Sequence, residues 1–293
     1  RPYYLNMTDS IPSSFASFLM EANFTGVDPD SINGELELVN SRFTKKEEEI
    51  TINNLRIISE NKGEERNILV RSDILDADIS GNFRINNLGK SFRNFLSAYL
   101  PAIAGILPDT TFVDPNEIDF TFHFKNFEQI TRFFTPDYHL SNNSYLAGFY
   151  NPSGNLVEFT GNIPELGVKN NHFHDLLLIS SASEDKYDFT AVSSHYIMGD
   201  NFTLSNLTLN TQVISDTLLS DLSWSNDSIP RYQGNLNFET VLYPHNISKK
   251  KDIEIRVQPS HIIFNDTIWE VNGNRVLIDS SFISIDSFYI ANK

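Results

Sequence analysis

Two histidines and an aspartate offer the first candidate chemistry. His172 and His174, followed by Asp175, form a His-x-His pair. On a strand, residues two apart share a face, so both imidazoles could ligate one metal ion. The competing reading is a polar stretch on the wet face ahead of the strand Leu176–Leu178, and without a further histidine cluster that reading is favoured. Asp28, Asp30 and Asn33–Gly34 have the composition of an acidic calcium loop. The spacing is wrong and no Glu occupies the twelfth position, so the segment reads as a turn. Trp224 and Trp269 could serve as sugar platforms, but they read better as amphipathic anchors at strand ends. No Gly-x-Ser-x-Gly elbow, phosphate loop, His-Glu-x-x-His or dinucleotide fingerprint occurs. With 38 acidic residues, no carboxylate pair for glycoside chemistry stands out. The expectation is a protein that is not an enzyme, with no metal and no cofactor.

Composition narrows the partners. The 22 basic residues face 38 acidic ones, a net charge of −16. Nucleic acid is excluded as an expected partner, because phosphate binding needs clustered Lys and Arg. The one dense basic run, Lys249–Lys250–Lys251, reads as a solvated turn. There are no cysteines, hence no disulfides or thiolate metal sites, which fits an oxidising compartment. Asn-x-Ser/Thr sequons at Asn23, Asn201, Asn206, Asn226 and Asn265 would suggest glycosylation in a secreted eukaryotic protein. They read more simply as turn residues at strand ends. No long apolar stretch is able to span a bilayer. Beginning at Arg1 without an initiator Met, the chain reads as a piece of something longer.

The elements that would position these residues are strands. Leu75, Ala77, Ile79, Phe83 and Ile85 alternate with Asp76, Asp78, Ser80, Asn82 and Arg84. Ile118, Phe120, Phe122 and Phe124 alternate with Asp119, Thr121, His123 and Lys125. The same period of two runs through Tyr232, Leu236 and Phe238, and through Ile253, Ile255 and Val257. Each segment predicts a strand with one dry and one wet face. Asn33–Gly34, Asn272–Gly273, Pro152–Asn155 and the polar loop Asn61–Glu65 are turn candidates. A loose motif, apolar-x-Gly-x-apolar-x-apolar, recurs at Ile32–Leu38, Ile79–Ile85 and Tyr232–Phe238, with a truncated copy at Phe159–Ile163. Its glycine falls on the apolar face, where a missing side chain allows a bend or a close approach.

Helix is sparse. Ser91–Leu100 carries Phe92, Phe95, Leu96 and Tyr99 at helical spacing and stops at Pro101. Asn126–Phe134 reads similarly, with Asn126 as N-cap and Pro136 as the stop. Ser13–Glu21 is a weaker third candidate, through Phe15, Phe18 and Leu19. A one-sided apolar sheet must cover its dry face with something. Two or three short helices are too few, so either the sheet folds on itself or a groove holds a ligand.

Several segments carry a family resemblance. Residues 71–83 (Arg71 to Phe83), followed by Ser91–Phe92 and Tyr99–Leu100–Pro101, resemble TamB-type proteins of the AsmA-like superfamily in Bacteroidetes. Residues 124–159, with their short helix, proline and Tyr145–Leu146–Ala147–Gly148, are similar to the same family. So are residues 22–38, 260–269 and 278–285, so the resemblance covers most of the chain. It implies a mainly β fold: an elongated, twisted, curved, antiparallel-rich sheet (a β-taco or half-pipe) with an apolar concave face and two or three short helices. It implies one such segment over 1–293, with sub-units 1–110 and 111–293 as a finer division. It implies a periplasmic location, in a parent protein anchored in the inner membrane of a Gram-negative bacterium. The implied partners are phospholipid acyl chains in the groove and, through the parent protein, a TamA-like outer-membrane barrel.

The groove-lining residues expected on this basis are Leu36 and Leu38; Ile79, Phe83 and Ile85; Ile118, Phe120, Phe122 and Phe124; Leu236 and Phe238; and Ile253 and Ile255. The expected function is a lipid-conduit segment that moves phospholipid between inner and outer membranes. The alternative is a scaffold or chaperone for outer-membrane β-barrel proteins. A carbohydrate-binding β-sandwich ranks third.

Overall fold

The computed structural model describes residues 3–5, 14–45, 48–105, 109, 111, 113–199, 202–226, 229–243, 252–279, 282–286 and 289–292. The chain is mainly β, antiparallel and not closed, with three helices. Strand accounts for 68% and helix for 12%, so the helices are too few to cover the sheet.

The chain divides into two compact units. The first comprises Arg1–Leu88, Pro115–Tyr150 and Gly161–His172, and the second Gly89–Asp114, Asn151–Thr160 and Phe173–Lys293.

In the first unit the strands are β1 (Tyr3–Leu5), β2 (Ser14–Thr25), β3 (Asn33–Lys45), β4 (Glu48–Lys62), β5 (Glu65–Ser72), β6 (Leu75–Asn82), β7 (Glu117–Phe124), β8 (Tyr138–Leu140) and β9 (Ser144–Asn151). Strands β1 to β7 pair in chain order as antiparallel neighbours, and β7 pairs next with β9. The strand β10 (Leu156–Val168) meets β8 through residues 166–168. Directly paired residues share a face, so this register builds rows across the sheet. One row runs Ala22, Leu36, Ile57, Val70, Ala77, Phe122, Leu146. The next runs Phe24, Gly34, Ser59, Ile68, Ile79, Phe120, Gly148. The opposite face carries charged rungs, among them Arg56 with Glu35, Arg71 with Asp78, and Lys125 with Asp76 at 2.7 Å.

The second unit holds β11 (Asn171–Ala182), β12 (Tyr187–Met198), β13 (Phe202–Ile214), β14 (Thr217–Ser225), β15 (Tyr232–Tyr243), β16 (Asp252–Val257), β17 (Ser260–Phe264), β18 (Thr267–Asn272), β19 (Asn274–Ile278), β20 (Ile283–Asp286) and β21 (Tyr289–Asn292). β12 to β15 form an antiparallel meander. β16 and β17 then lie end to end along β15, β19 and β18 along those, and β20 and β21 along the outside. Asn272–Gly273 is thus a break inside a long strand and not the expected hairpin. The turn sits at Asn265 and Asp266, both with positive φ.

The helices are α1 (Ile85–Tyr99), α2 (Pro101–Ala104) and α3 (Glu128–Phe134). α1 and α3 stand where helical spacing predicts them, and α1 stops at Tyr99, just before Pro101. Three expectations are corrected. The expected helix Ser13–Glu21 is replaced over its described residues 14–21 by β2, because Ala16, Met20, Ala22 and Phe24 also alternate and pair with β3; Ser13 lies outside the described residues. Phe83 and Ile85 do not continue β6, which ends at Asn82; Ile85 opens α1 six residues ahead of the expected start. Asn126 is not the cap of α3: its Nδ2 donates to the Asp73 carbonyl at 2.9 Å, and Phe127 occupies the cap position.

Glycines of the recurring motif are fixed by close approach. A Cβ on Gly81 would lie 2.0 Å from the Glu117 carbonyl oxygen, at φ +135°. One on Gly34 would lie 2.2 Å from the Asn23 carbonyl oxygen, at φ +143°. Neither position accepts a side chain without moving the neighbouring strand. Gly81→Ala is expected to lower unfolding free energy by about 1–3 kcal/mol. Urea denaturation of the two proteins would read this, and an unchanged midpoint would be the contrary result.

Candidate functional site

Each unit presents an apolar face built by register, and the two are described separately. In the first unit, most rows carry half-buried side chains: Leu36, Leu38, Leu55, Ile57, Ile68, Val70, Ile79, Phe120, Phe122 and Phe124 are neither fully covered nor fully open. Ala77 and Ile118 are buried, while Met20 is 57% and Phe24 50% exposed. Phe120, Phe122 and Phe124 form a ladder, with ring centroids 5.8 and 6.4 Å apart.

Coverage of this face is concentrated at the strand ends. At one end, Phe133 of α3 closes a cluster with Ile50 and Ile74, flanked by Phe43, Ile52, Leu75, Phe127 and Ile130. At the other, the β2–β3 loop folds over the sheet. Its Ile32 carbonyl accepts from Ser59 Oγ at 3.0 Å and Asn61 Nδ2 at 2.9 Å. Arg66 lies in the row Asn61–Arg66–Gly81–Ile118 and is only 4% exposed. It donates to the Pro29 carbonyl at 2.8 Å and to the Asp30 carbonyl, and its guanidinium sits over the Phe83 ring at 5.6 Å. Asp30 Oδ1 in turn accepts from the Ile85 backbone N–H at 2.5 Å, and Asp28 Oδ1 accepts from Asn86 Nδ2 at 2.9 Å. A buried cation is tolerable only when hydrogen-bonded in this way. Asp28 and Asp30 therefore serve the fold as a turn and as the N-terminal support of α1.

In the second unit, one row runs Tyr187, Val213, Leu218, Thr240, Ile255, Val276, Ile285. Another runs Phe189, Thr211, Ser220, Phe238, Val257. Leu222 pairs with Leu236, and Leu242 with Ile253. Phe95 and Tyr99 of α1 stack edge-on at 5.3 Å and close on Tyr187 at one strand end. Asp216, in the β13–β14 turn, fastens the helices there: its Oδ1 accepts from the Ala102 N–H and its own N–H donates to the Tyr99 carbonyl, both at 2.8 Å. Trp224, Gly234, Ile262 and Trp269 form a further row. A Cβ on Gly234 would stand 2.4 Å from the Trp224 ring, so this glycine makes room for an indole. Both tryptophans thus lie on the apolar face.

The expected groove residues divide accordingly. Leu36, Leu38, Ile79, Ile118, Phe120, Phe122 and Phe124 share one face of the first unit. Leu236, Phe238, Ile253 and Ile255 share one face of the second. Phe83, at 4% exposure, is core beneath Arg66 and offers no lining surface, and Ile85 belongs to α1. Sequence reasoning missed Ile57, Ile68 and Val70, which sit in continuous apolar runs without clear alternation, Met20, which was hidden by the helix reading, and Phe24.

The remaining candidates resolve into structural roles. His172 Nδ1 pairs with Glu165 Oε1 at 2.9 Å. The His174 carbonyl accepts from Ser193 Oγ at 2.7 Å, and Asp175 takes a left-handed backbone at φ 48°. Among the described residues no three His, Cys, Asp or Glu side chains converge to hold a metal. Asn265, at φ 52°, stands in the turn before β18, whereas Asn206, at φ 50°, lies inside β13 and Asn23 inside β2, so these two are not at strand ends as expected; Asn226 Oδ1 accepts from the Tyr232 N–H at 2.6 Å. Asn201 and Lys249–Lys251 lie outside the described residues.

The second unit carries a shallow groove of 670 Å³, lined by the polar side chains of Asp188, Thr190, Asn210, Gln212, Asp221, Asn237 and Glu239 together with Phe189, Leu219 and Phe238. The polar side chains largely satisfy one another: Gln212 donates to Asp188 at 3.0 Å and Thr190 to Asn210 at 2.9 Å. Neither tryptophan is among its lining residues, which weakens the sugar-platform reading. Beside the groove, Glu254 has a side chain only 5% exposed and accepts from Arg256 Nε and Arg275 Nε, each at 2.8 Å. Its hydrogen bond from Arg256 outweighs burial and, with those from Arg275 and Tyr243, holds its carboxyl below the ordinary 4.5.

A depressed native pKa means stability that is present above the unfolded-state value and is lost as pH falls through the native one. Wild type is expected to lose urea resistance progressively below about pH 4.5, and Glu254→Gln to lose less of it over the same range. Equal pH dependence in the two proteins would remove Glu254 from the account. Comparison of the chain with family models, with curated proteins and with solved structures finds no match.

Proposed function

We propose that the chain is a lipid-carrying segment of a bacterial envelope protein, with the apolar face of each unit receiving acyl chains. The observation that carries this reading is the set of half-exposed apolar rows in the first unit, from Ala22 to Leu146 and from Phe24 to Phe120. Contiguous apolar surface of this kind marks an interaction site in soluble proteins. Burial of each CH₂ against it would contribute about 0.8 kcal/mol. The rows contain few polar atoms, so they would attract a chain without fixing its register. A lipid held in this way could slide from one strand to the next.

The resemblance to TamB-type proteins supplies the wider setting: a periplasmic segment that moves phospholipid between inner and outer membranes, within a parent anchored in the inner membrane and partnered by a TamA-like barrel. A second reading, a scaffold for outer-membrane strands, draws on β20 and β21. Their Ile283, Ile285 and Ile290 are exposed, and an apolar edge strand offers backbone hydrogen bonds to a client.

Native mass spectrometry of the chain purified without detergent tests the first reading. Phospholipid is expected to remain bound to wild type and to Asp119→Asn, on the opposite face. The double variant Phe120→Asn/Phe122→Asn is expected to lose most of it while keeping its circular dichroism. Lipid-free wild type, or equal lipid in all three, would sink the acyl-chain reading and leave the strand scaffold in its place.

A further inference from the structure

We infer that the pocket at the strand ends of the first unit binds the head of an amphiphile, specifically a phosphate bearing a cationic arm, as in a zwitterionic phospholipid. This rests on the reading of the apolar face as an acyl-chain surface and adds to it a choice of headgroup. The cavity measures 500 Å³, and its lining includes Asp30, Asn61, Glu64, Glu65, Arg66 and Arg84.

Position is the first argument. Asn61 and Arg66 belong to the row beside Ser59, Ile68, Ile79 and Phe120, two residues along each strand. The pocket therefore stands where the apolar face gives way to water. A chain lying on the rows would place its polar end at such a margin, because burying a head on the face would leave its charges unpaired.

Charge is the second. Among the described residues, charged side chains on the polar face are mostly paired, as in Arg56 with Glu35, Lys62 with Glu60 and Lys125 with Asp76. Around the pocket the side chains of Arg84 and Glu64 have no such partner among the described residues, while Arg66 is committed to the carbonyls of Pro29 and Asp30. Glu65 pairs in register with Lys62 and so lies on the opposite face from Arg66. One open cation and one open anion at one cavity match a ligand that carries both signs. Guanidinium binds phosphate oxygens through paired N–H donors, and carboxylates accept from an ammonium. A fatty acid or a phosphatidic acid would satisfy Arg84 and be repelled by Glu64. A neutral glyceride would leave both unpaired.

Isothermal titration of the full chain with single-chain amphiphiles below their micelle concentration tests this. The probes share one acyl chain: lysophosphatidylethanolamine, lysophosphatidic acid and monoacylglycerol. Glycerophosphoethanolamine serves as the free head. Lysophosphatidylethanolamine is expected to bind about tenfold tighter than the other two, the scale of one charge-assisted hydrogen bond. Arg84→Glu and, independently, Glu64→Lys are each expected to abolish that preference and leave monoacylglycerol binding unchanged. Equal affinity for the three amphiphiles in wild type, or variants that weaken monoacylglycerol as much as lysophosphatidylethanolamine, would overturn the headgroup assignment. If monoacylglycerol binds and is lost in Phe122→Asn while the heads are not distinguished, only this inference falls. If no amphiphile binds, or only glycerophosphoethanolamine does, the acyl-chain reading falls and this one with it.

Discussion

An antiparallel sheet with one apolar face has to put that face against something, and in this chain the helices are too few to do it. They go where they relieve the most. α3 closes on Ile50 and Ile74, and α1 closes on Tyr187, in each case at the ends of strands. The middle of each face keeps its side chains half-exposed. The sheet itself is held without help from that side: backbone pairing runs unbroken from β1 to β7, and ion rungs line the opposite face. Exposed ion pairs contribute little individually. Their larger effect is to make the wet face unambiguous, so that a register slip would expose the apolar rows and bury the charges.

Much of this was legible from period two alone. The alternation in residues 75–82 and 117–124 places β6 and β7 and names the phenylalanine ladder. The recurring glycine was read as a point of bend or close approach; close approach is what Gly34, Gly81 and Gly234 show, to strand backbone at the first two and to an indole ring at Gly234. What alternation could not show is a change of phase. In β3 the apolar set moves from Leu36 and Leu38 to Ser41 and Phe43, because Asn40 adopts φ 49° and the register with β2 shifts there. β4 follows, moving from Ile57 and Leu55 to Ile52 and Ile50. A single left-handed asparagine inside a strand leaves no distinctive mark in one sequence, since asparagine is common at turns as well.

The other misreadings share a physical cause, which is long-range support. Residues 13–21 satisfy helical spacing and strand alternation alike, and only pairing with β3 decides between them. α1 begins at Ile85 because a carboxylate from a distant loop, that of Asp30, accepts its first N–H. Phe83 turns inward because Arg66, two strands' length of chain away in sequence, lies over its ring. Local patterns do not encode a cap or a cation delivered by another segment.

The placement of these supports bears on how any occupant of the first unit would lie. A chain running parallel to the strands would meet the α3 cluster at one end and the loop over Arg66 at the other. A chain running across the strands would meet the same sequence of environments at each step: an aliphatic or aromatic side chain about every 4.8 Å, the spacing of neighbouring strands. Only the crosswise path is free of polar interruptions in the row from Ala22 to Leu146. Along a strand the rows end in Asn61 and Arg66, which have no reason to accept a hydrocarbon. Sheet register, rather than any single pocket, therefore sets the direction of the apolar path, and the strand ends set its margins.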